Sequence, residues 1–275
     1  MSIVNLRLEQ QKGAIDLLST LRLVEINPVD VCNRSCSFCP RSDPTIYTNR
    51  KWVIKEETTT KLANDLKDIG FNNRIGFVGM GEPTLHKNLS KHLHIISSIV
   101  NPKWLEINTN GDFLTTEKIK EYADSGCTHI CVSMYDCDIS DRLFEMANNI
   151  DVEIIPRHCY PDRFELDIID RANNITQQEI PNITNPCYMP FYQLYVDWDG
   201  NILVCQNDWG RKGIIGNIKQ STIKDIWLGK EFNKYRKELQ QGKRYKLSPC
   251  NTCNIQGTRY GKESFEIMKN ARLFN

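Results

Sequence analysis

Cys32, Cys36 and Cys39 sit in the run CNRSCSFCP, with three and then two residues between them. Three thiolates on one loop can hold three irons of a [4Fe–4S] cube, whereas a fully protein-ligated cube takes four. The fourth iron is then open to a substrate-like ligand. The competing reading is a zinc knuckle with a distant fourth ligand. No further cysteine follows Cys39 until Cys127.

A second group, Cys187, Cys205, Cys250 and Cys253, has the form C-x17-C…C-x2-C. Four thiols saturate either Zn2+ or one [4Fe–4S] cluster, and spacing alone favours zinc. The chain has 11 cysteines, and the other four show no ligand spacing. Cys127 and Cys131 lie in a strand-like apolar stretch, where an inert buried thiol is the ordinary outcome. Cys137 and Cys159 each follow an expected strand and are candidates to face a cavity. The five histidines form no convincing ligand pair; His92 and His94, two apart, face different sides of a helical stretch.

The elements that position these residues alternate. Leu21–Ile26 reads as a strand running straight into the first cysteine loop. Helix-like segments follow at 57–69, 88–100, 115–125 and 139–149. They are separated by strand-like runs at Arg74–Val78, Trp104–Asn108, Thr128–Met134 and Val152–Pro156. This rhythm predicts parallel strands with right-handed crossovers. Five or six units are too few for an eight-fold barrel. The rhythm breaks near residue 160. Residues 191–205 read as a hairpin turning at Asp199-Gly200, and 222–241 as a helix. The expected organisation is a helical extension over 1–20, an α/β domain over 21–180 and a small domain over 181–275.

Lys plus Arg is 35 and Asp plus Glu is 34, a net charge of +1. Nothing in that balance argues for a nucleic-acid groove or an anionic membrane. No apolar run is long enough to cross a bilayer, and the N-terminal residues lack the pattern of a signal peptide. The expectation is a cytoplasmic protein whose thiols stay reduced.

CNRSCSFCP resembles the CxxxCxφC signature of radical S-adenosylmethionine (SAM) enzymes, with Phe38 at the aromatic position. The resemblance implies a partial (β/α)6 barrel, SAM chelated on the open iron, and a 5′-deoxyadenosyl radical that abstracts a substrate hydrogen atom. It also implies an external electron donor such as flavodoxin or ferredoxin. GMGEP resembles the family's GGEP motif, so Gly79, Gly81, Glu82 and Pro83 are expected around the SAM amino group. Met80 displaces one family glycine. Asn108 and Asn110, in NTNG at the end of a strand, and Ser133, resembling a ribose-contacting serine, complete the expected cradle. Arg157 could pair with the SAM carboxylate through its fork of donors, or form a surface salt bridge.

The segment after residue 180 resembles the twitch domain, the short form of the SPASM extension. The resemblance rests on Asp199-Gly200, Cys205, Gly216-Asn217-Ile218, Ile226-Trp227, Phe232 and the final Cys-x-x-Cys. It tips the second group towards one auxiliary [4Fe–4S] cluster, fully ligated, so that two clusters are expected in all. In alcohol-oxidising members such a cluster can take the second electron, and an arginine lies near the substrate hydroxyl; Arg171 is the matching position. These members imply oxidation of a secondary alcohol of a small polyol, aminocyclitol or sugar derivative. The alternative is an epimerase or lyase in which Cys137 or Cys159 returns a hydrogen atom. A peptide-modifying enzyme is the weaker reading.

Overall fold

The computed structural model describes residues 16–159 and 183–271 of the 275-residue chain. Eight strands form one sheet in the order β5-β4-β3-β2-β1-β6-β7-β8. They are β1 (Leu23–Ile26), β2 (Arg74–Phe77), β3 (Trp104–Thr109), β4 (His129–Met134), β5 (Glu153–His158), β6 (Gln193–Val196), β7 (Asn201–Leu203) and β8 (Ile214–Asn217). β1 to β5 pair in parallel, joined by α1 (Glu56–Asp68), α2 (Leu89–Ile99), α3 (Thr116–Asp124) and α4 (Ser140–Met146). Their order follows the expected alternation. The crossover helices bury one face each: Leu62, Ala63 and Leu66 of α1, and Leu89, Leu93 and Ile96 of α2, join the apolar residues of the strands. Thr115 caps α3 by accepting from the Lys118 amide at 3.3 Å, one of the bonds a helix start otherwise lacks.

A sixth parallel strand is present, but it sits on the far side of β1. β6 pairs with β1 in the register Leu23↔Gln193 and Glu25↔Tyr195. It is also the first strand of the expected hairpin, which turns through Asp199-Gly200 into antiparallel β7. The C-terminal segment therefore continues the same sheet. The hairpin's residues are buried on both faces of β6, as a central parallel strand requires. No period-2 alternation marks it for that reason.

The expected helix over 222–241 is two helices, α6 (Ile223–Trp227) and α7 (Lys230–Leu239), preceded by a short turn α5 (Met189–Tyr192). Arg236, 1% exposed, explains the break. Its guanidinium donates to the Trp227 carbonyl at 2.5 Å and to the Pro190 carbonyl at 2.8 Å. It thereby satisfies the end of α6 and ties it to α5. A last helix, α8 (Lys262–Asn270), was not legible. It packs on the turn Leu17–Thr20, where Ser264 donates to the Thr20 carbonyl at 2.8 Å. Of the expected extension over 1–20, only this 3-10 turn falls within the described residues, and the expected boundary at 180 lies outside them.

Beneath the loop that follows β1 lies a buried charge network. Asp30 and Asp197 are both 0% exposed. Asp30 accepts from Arg41 at 2.8 Å and from the Tyr47 hydroxyl at 2.7 Å. Asp197 accepts from Arg211 at 2.5 Å and from the Asn27 amide at 2.8 Å. Arg41 also donates to the Met80 carbonyl at 2.6 Å and to Asn49 at 2.5 Å. Removing one partner of a buried pair leaves an uncompensated charge. Arg41→Ala should therefore lower the unfolding free energy by about 3–5 kcal/mol. Arg50→Ala, which removes a half-exposed partner 3.9 Å from Asp30, should cost under about 1 kcal/mol. Urea unfolding of the two variants checks this, and equal losses would contradict the network's role.

Candidate functional site

The C-terminal ends of β1 to β5 open into a cavity of about 1180 Å3. Cys32, Cys36 and Cys39 line it from the loop after β1, each half-buried. The loop is fixed by its own backbone. The Cys39 amide donates to the Cys36 carbonyl at 2.9 Å, and Asn49 brackets Cys32, accepting from its amide and donating to its carbonyl, both at 3.1 Å. Arg41 holds Asn49, so the buried network below sets the loop above.

Burial raises the Cys32 thiol, and it pushes Cys36 up to about 11, with Cys39 and Cys32 adding to the rise. Thiols that raise one another are mutually repelling thiolates. An iron centre reverses that balance, because a bound cation favours the deprotonated ligand. The donor set and its convergence on one cavity fit a cluster.

Three further loops meet the cysteine loop. Gly79, Met80, Gly81 and Glu82 follow β2 and line the cavity. The glycines are required first by the chain itself. A Cβ on Gly81 would lie 2.0 Å from the Val29 carbonyl oxygen, and one on Gly79 would lie 2.3 Å from Asn27 Oδ1. The loop presses on the strand end that delivers Cys32, and the Glu82 amide bonds the Val31 carbonyl at 2.9 Å. Glu82, 3% exposed, spends its carboxylate on the chain. It accepts from Thr84, from the Thr109 hydroxyl at 2.5 Å and from the Asn110 amide at 2.9 Å. It ties the loop after β2 to the loop after β3. Pro83 starts the buried turn Pro83–Leu85 and does not line the cavity.

Asn108, Asn110, Ser133 and Arg157 all line the cavity, as does Phe38, whose ring lies 5.2 Å from that of Tyr135. Asn110 donates to Asn33 at 2.9 Å. Arg34, between the first two cysteines, makes two bonds to Asp112 at 2.5 and 2.7 Å and one to Asp136 at 2.6 Å. The cysteine loop is thus clamped to the ends of β3 and β4. Composition offered no signal for this clamp, because Arg34, Asp112 and Asp136 are ordinary loop residues in sequence.

Cys159 lines the cavity. Cys137 does not: it is exposed, carried outward by the turn after β4. Arg171 lies outside the described residues. The cavity is also lined by acids not singled out, among them two on strands, Glu25 of β1 and Glu106 of β3. A signal existed. Both interrupt an apolar strand in the same way, Val24-Glu25-Ile26-Asn27 and Leu105-Glu106-Ile107-Asn108, and a charge inside a buried strand is rare unless paired or functional. Burial, with the Glu106 charge nearby, pushes Glu25 up to about 8.

The second cysteine group also converges. Cys187, Cys205, Cys250 and Cys253 line one small, mostly apolar pocket with Pro190, Val204, Leu239 and Ile255 among its walls and Asn207 and Arg244 at its polar positions. Cys187 precedes α5, Cys205 follows β7, and Cys250 opens the turn Cys250–Thr252 that Cys253 ends. Burial raises Cys205 and Cys250, and the other thiols of the group add to the rise. The apolar lining fits a cluster shielded from water.

The comparisons with known proteins come to the same residues. Residues 26–150 match the radical SAM superfamily, and residues 187–254 match an iron–sulfur cluster-binding domain, SPASM. The S-adenosyl-L-methionine-dependent 2-deoxy-scyllo-inosamine dehydrogenase of Niallia circulans is 29% identical over 256 residues, 87% of this chain and 94% of that enzyme. The crystal structure of BtrN in complex with AdoMet and 2-DOIA superposes with a TM-score of 0.74 at 26% identity, covering 88% of this chain and 97% of that one. The GTP 3′,8-cyclase of Aquifex aeolicus is 28% identical over 123 residues, 44% of this chain and 38% of the cyclase.

A proton-linked prediction follows from Glu25. Its carboxyl binds its proton more tightly folded than unfolded, so stability is lost as pH rises from about 5 towards 8. At about 1.4 kcal/mol per pKa unit the loss amounts to a few kcal/mol. Glu25→Gln should remove that loss. The thermal midpoint of the variant, relative to the parent, should climb steadily between pH 5 and pH 8. Parallel curves would show that Glu25 titrates normally.

Proposed function

We propose that this chain, a radical SAM enzyme with a C-terminal SPASM-type domain, oxidises a secondary alcohol of a small polyol, aminocyclitol or sugar derivative to a ketone. The observation that carries the reading is the second pocket, where four thiols meet in an apolar surround behind the same sheet. Likeness to an alcohol dehydrogenase over 87% of the chain supports it. Separate family matches over 26–150 and 187–254 support a boundary near residue 180.

When bound, the first cluster and SAM would supply one-electron abstraction of a hydrogen atom from the alcohol carbon, and the auxiliary cluster would accept the second electron while the hydroxyl proton leaves to a base. This chain's residues do the positioning. Cys32, Cys36 and Cys39 hold the first cluster, and Cys187, Cys205, Cys250 and Cys253 hold the second. Gly79, Gly81, Asn108, Asn110 and Ser133 receive SAM at the strand ends, with Arg157 towards its carboxylate. Phe38, against Tyr135, covers the cluster side. Glu82 and Pro83 shape the loop around the SAM amino group, Glu82 from the cavity lining. Arg171 orients the hydroxyl or stabilises its alkoxide, since a guanidinium is too basic to serve readily as the proton acceptor.

Electrons enter from an external carrier of the flavodoxin or ferredoxin type, in a reducing cytoplasm that keeps eleven cysteines unpaired. Among the described residues no helix is long and apolar enough to cross a membrane. The near-neutral net charge supports a small-molecule substrate over nucleic acid.

Anaerobic reconstitution should yield about eight irons per chain, two cubes of four. Reduced enzyme given 2-deoxy-scyllo-inosamine, the substrate named for the Niallia enzyme, should form 5′-deoxyadenosine and a ketone in equal amounts. Cys205→Ala should keep SAM cleavage and lose the ketone. Cys159 is the one candidate thiol that lines the cavity, so the epimerase reading has a definite test. Solvent deuterium at carbon in recovered substrate, abolished by Cys159→Ala, would replace the dehydrogenase.

A further inference from the structure

The cavity floor carries two acids with different surroundings. The register places Glu25 of β1, Gly76 of β2 and Glu106 of β3 side by side. Gly76 keeps the space between them open: a Cβ there would lie 3.0 Å from Glu106 Oε1. Glu106, 2% exposed, is fully engaged. It accepts two bonds from Arg74 at 2.7 and 2.8 Å, one from the Trp104 indole at 2.6 Å and one from the Cys131 thiol at 3.5 Å. Glu25 is 9% exposed and has no such partner. Its bonds are to amides only. Gln193 Nε2 donates to it, and Gln206, with its amide nitrogen facing the carboxyl, reaches both oxygens at 2.5 and 3.0 Å. No ion pair within 4 Å involves Glu25 among the described residues.

The neighbouring polar groups include one acceptor left over. Gln193, 2% exposed, lines the cavity, and its Oε1 is buried with no hydrogen-bond partner. A buried polar atom left without a partner costs free energy until a ligand or water supplies one. The arginine nearest to this floor, Arg74, is committed to Glu106. Arg157, on β5, acts on Glu25 as a charge without an ion pair to it. An ammonium at this floor is met by a carboxylate and an orphan amide oxygen.

We propose that Glu25 and Gln193 form the subsite for a primary ammonium group on the substrate. This rests on the alcohol-oxidation reading and makes it narrower, since the substrate is then an amino-bearing cyclitol or sugar rather than a neutral polyol. An ammonium has three donors. Two can reach the Glu25 carboxylate and Gln193 Oε1, and the charge compensates a buried carboxylate that makes no ion pair within 4 Å among the described residues. The groups facing Glu25 are Glu106, Arg74, Arg157, Tyr192 and Tyr195. With the cavity free of ligand, the carboxyl keeps its proton below about pH 8. Uptake of an ammonium then expels that proton, so affinity for the amine should rise as pH approaches 8.

The test is calorimetric binding to the reconstituted, SAM-loaded enzyme under anaerobic conditions. The probes are 2-deoxy-scyllo-inosamine and glucosamine, each beside the analogue with hydroxyl in place of the amine. The parent enzyme should bind at least one amine about tenfold more tightly than its hydroxyl partner, about 1.4 kcal/mol. Glu25→Gln should erase that preference by weakening the amine alone, and flatten its pH dependence. Gln193→Met should reduce the preference less, and serves if the first variant fails to fold. Absence of any amine preference in the parent enzyme, or its survival in both variants, would overturn the proposal. Alcohol oxidation is judged separately, by ketone formation, so either reading can fail while the other stands.

Discussion

The Asp30–Arg41 pair is the contact on which the site most depends. Three stretches of chain depend on it. Asp30 lies in the loop after β1, just before the cysteines; Arg41 lies just after them; and the Arg41 guanidinium reaches the Met80 carbonyl after β2 and Asn49 beside Cys32. Asp197 and Arg211 extend the network into the hairpin that follows β6. A loop presenting three thiols to a cavity has little apolar surface with which to hold itself. Charge-assisted bonds below it, away from water, supply rigidity that packing does not. The same network joins the strand end that carries the first cysteine group to the hairpin that carries Cys205.

Around that anchor the strand ends are laced together by side chains. Glu82 spans the loops after β2 and β3. Arg34 spans the first loop and those after β3 and β4. Residues that resemble ligand contacts in sequence prove to serve partly as ties. This division has a chemical reason. A radical cofactor must be held still and kept from water, and loops at the mouth of a parallel sheet lack backbone pairing of their own. Side-chain carboxylates and guanidiniums replace it. The backbone amides and the outer side chains, Asn108, Ser133 and Arg157 among them, are left to face the cavity.

Deeper in the cavity the sheet itself carries charge. Glu25 and Glu106 stand where barrel strands ordinarily place apolar side chains. Each costs stability as a buried acid, and only Glu106 is matched by an arginine. An unmatched acid on a rigid strand is the kind of local conflict that folded proteins keep at functional positions. Its place beside Gln193 depends on β6 running next to β1, so the floor of the cavity is built jointly by strands some 170 positions apart.

Much of this protein was legible as sequence. The two cysteine groups, the strand-and-helix alternation from β1 to β5, the hairpin at Asp199-Gly200 and the residues lining the cavity at Gly79, Asn108, Ser133 and Arg157 are all local patterns. Spacing of thiols, apolar period and turn chemistry are properties of a few neighbouring residues, so they survive reading one residue at a time. What only the tertiary structure decided is non-local. The insertion of β6 beside β1 rests on pairing across some 170 positions, and no periodicity marks a strand buried on both faces. The break between α6 and α7 depends on Arg236 reaching back to Trp227. Cys137 and Cys159 read alike in sequence, yet one faces solvent and the other the cavity, because the turn after β4 directs the first outward. Glu25 and Glu106 share one sequence pattern, and only the fold gives an arginine to one and leaves the other waiting for a cation.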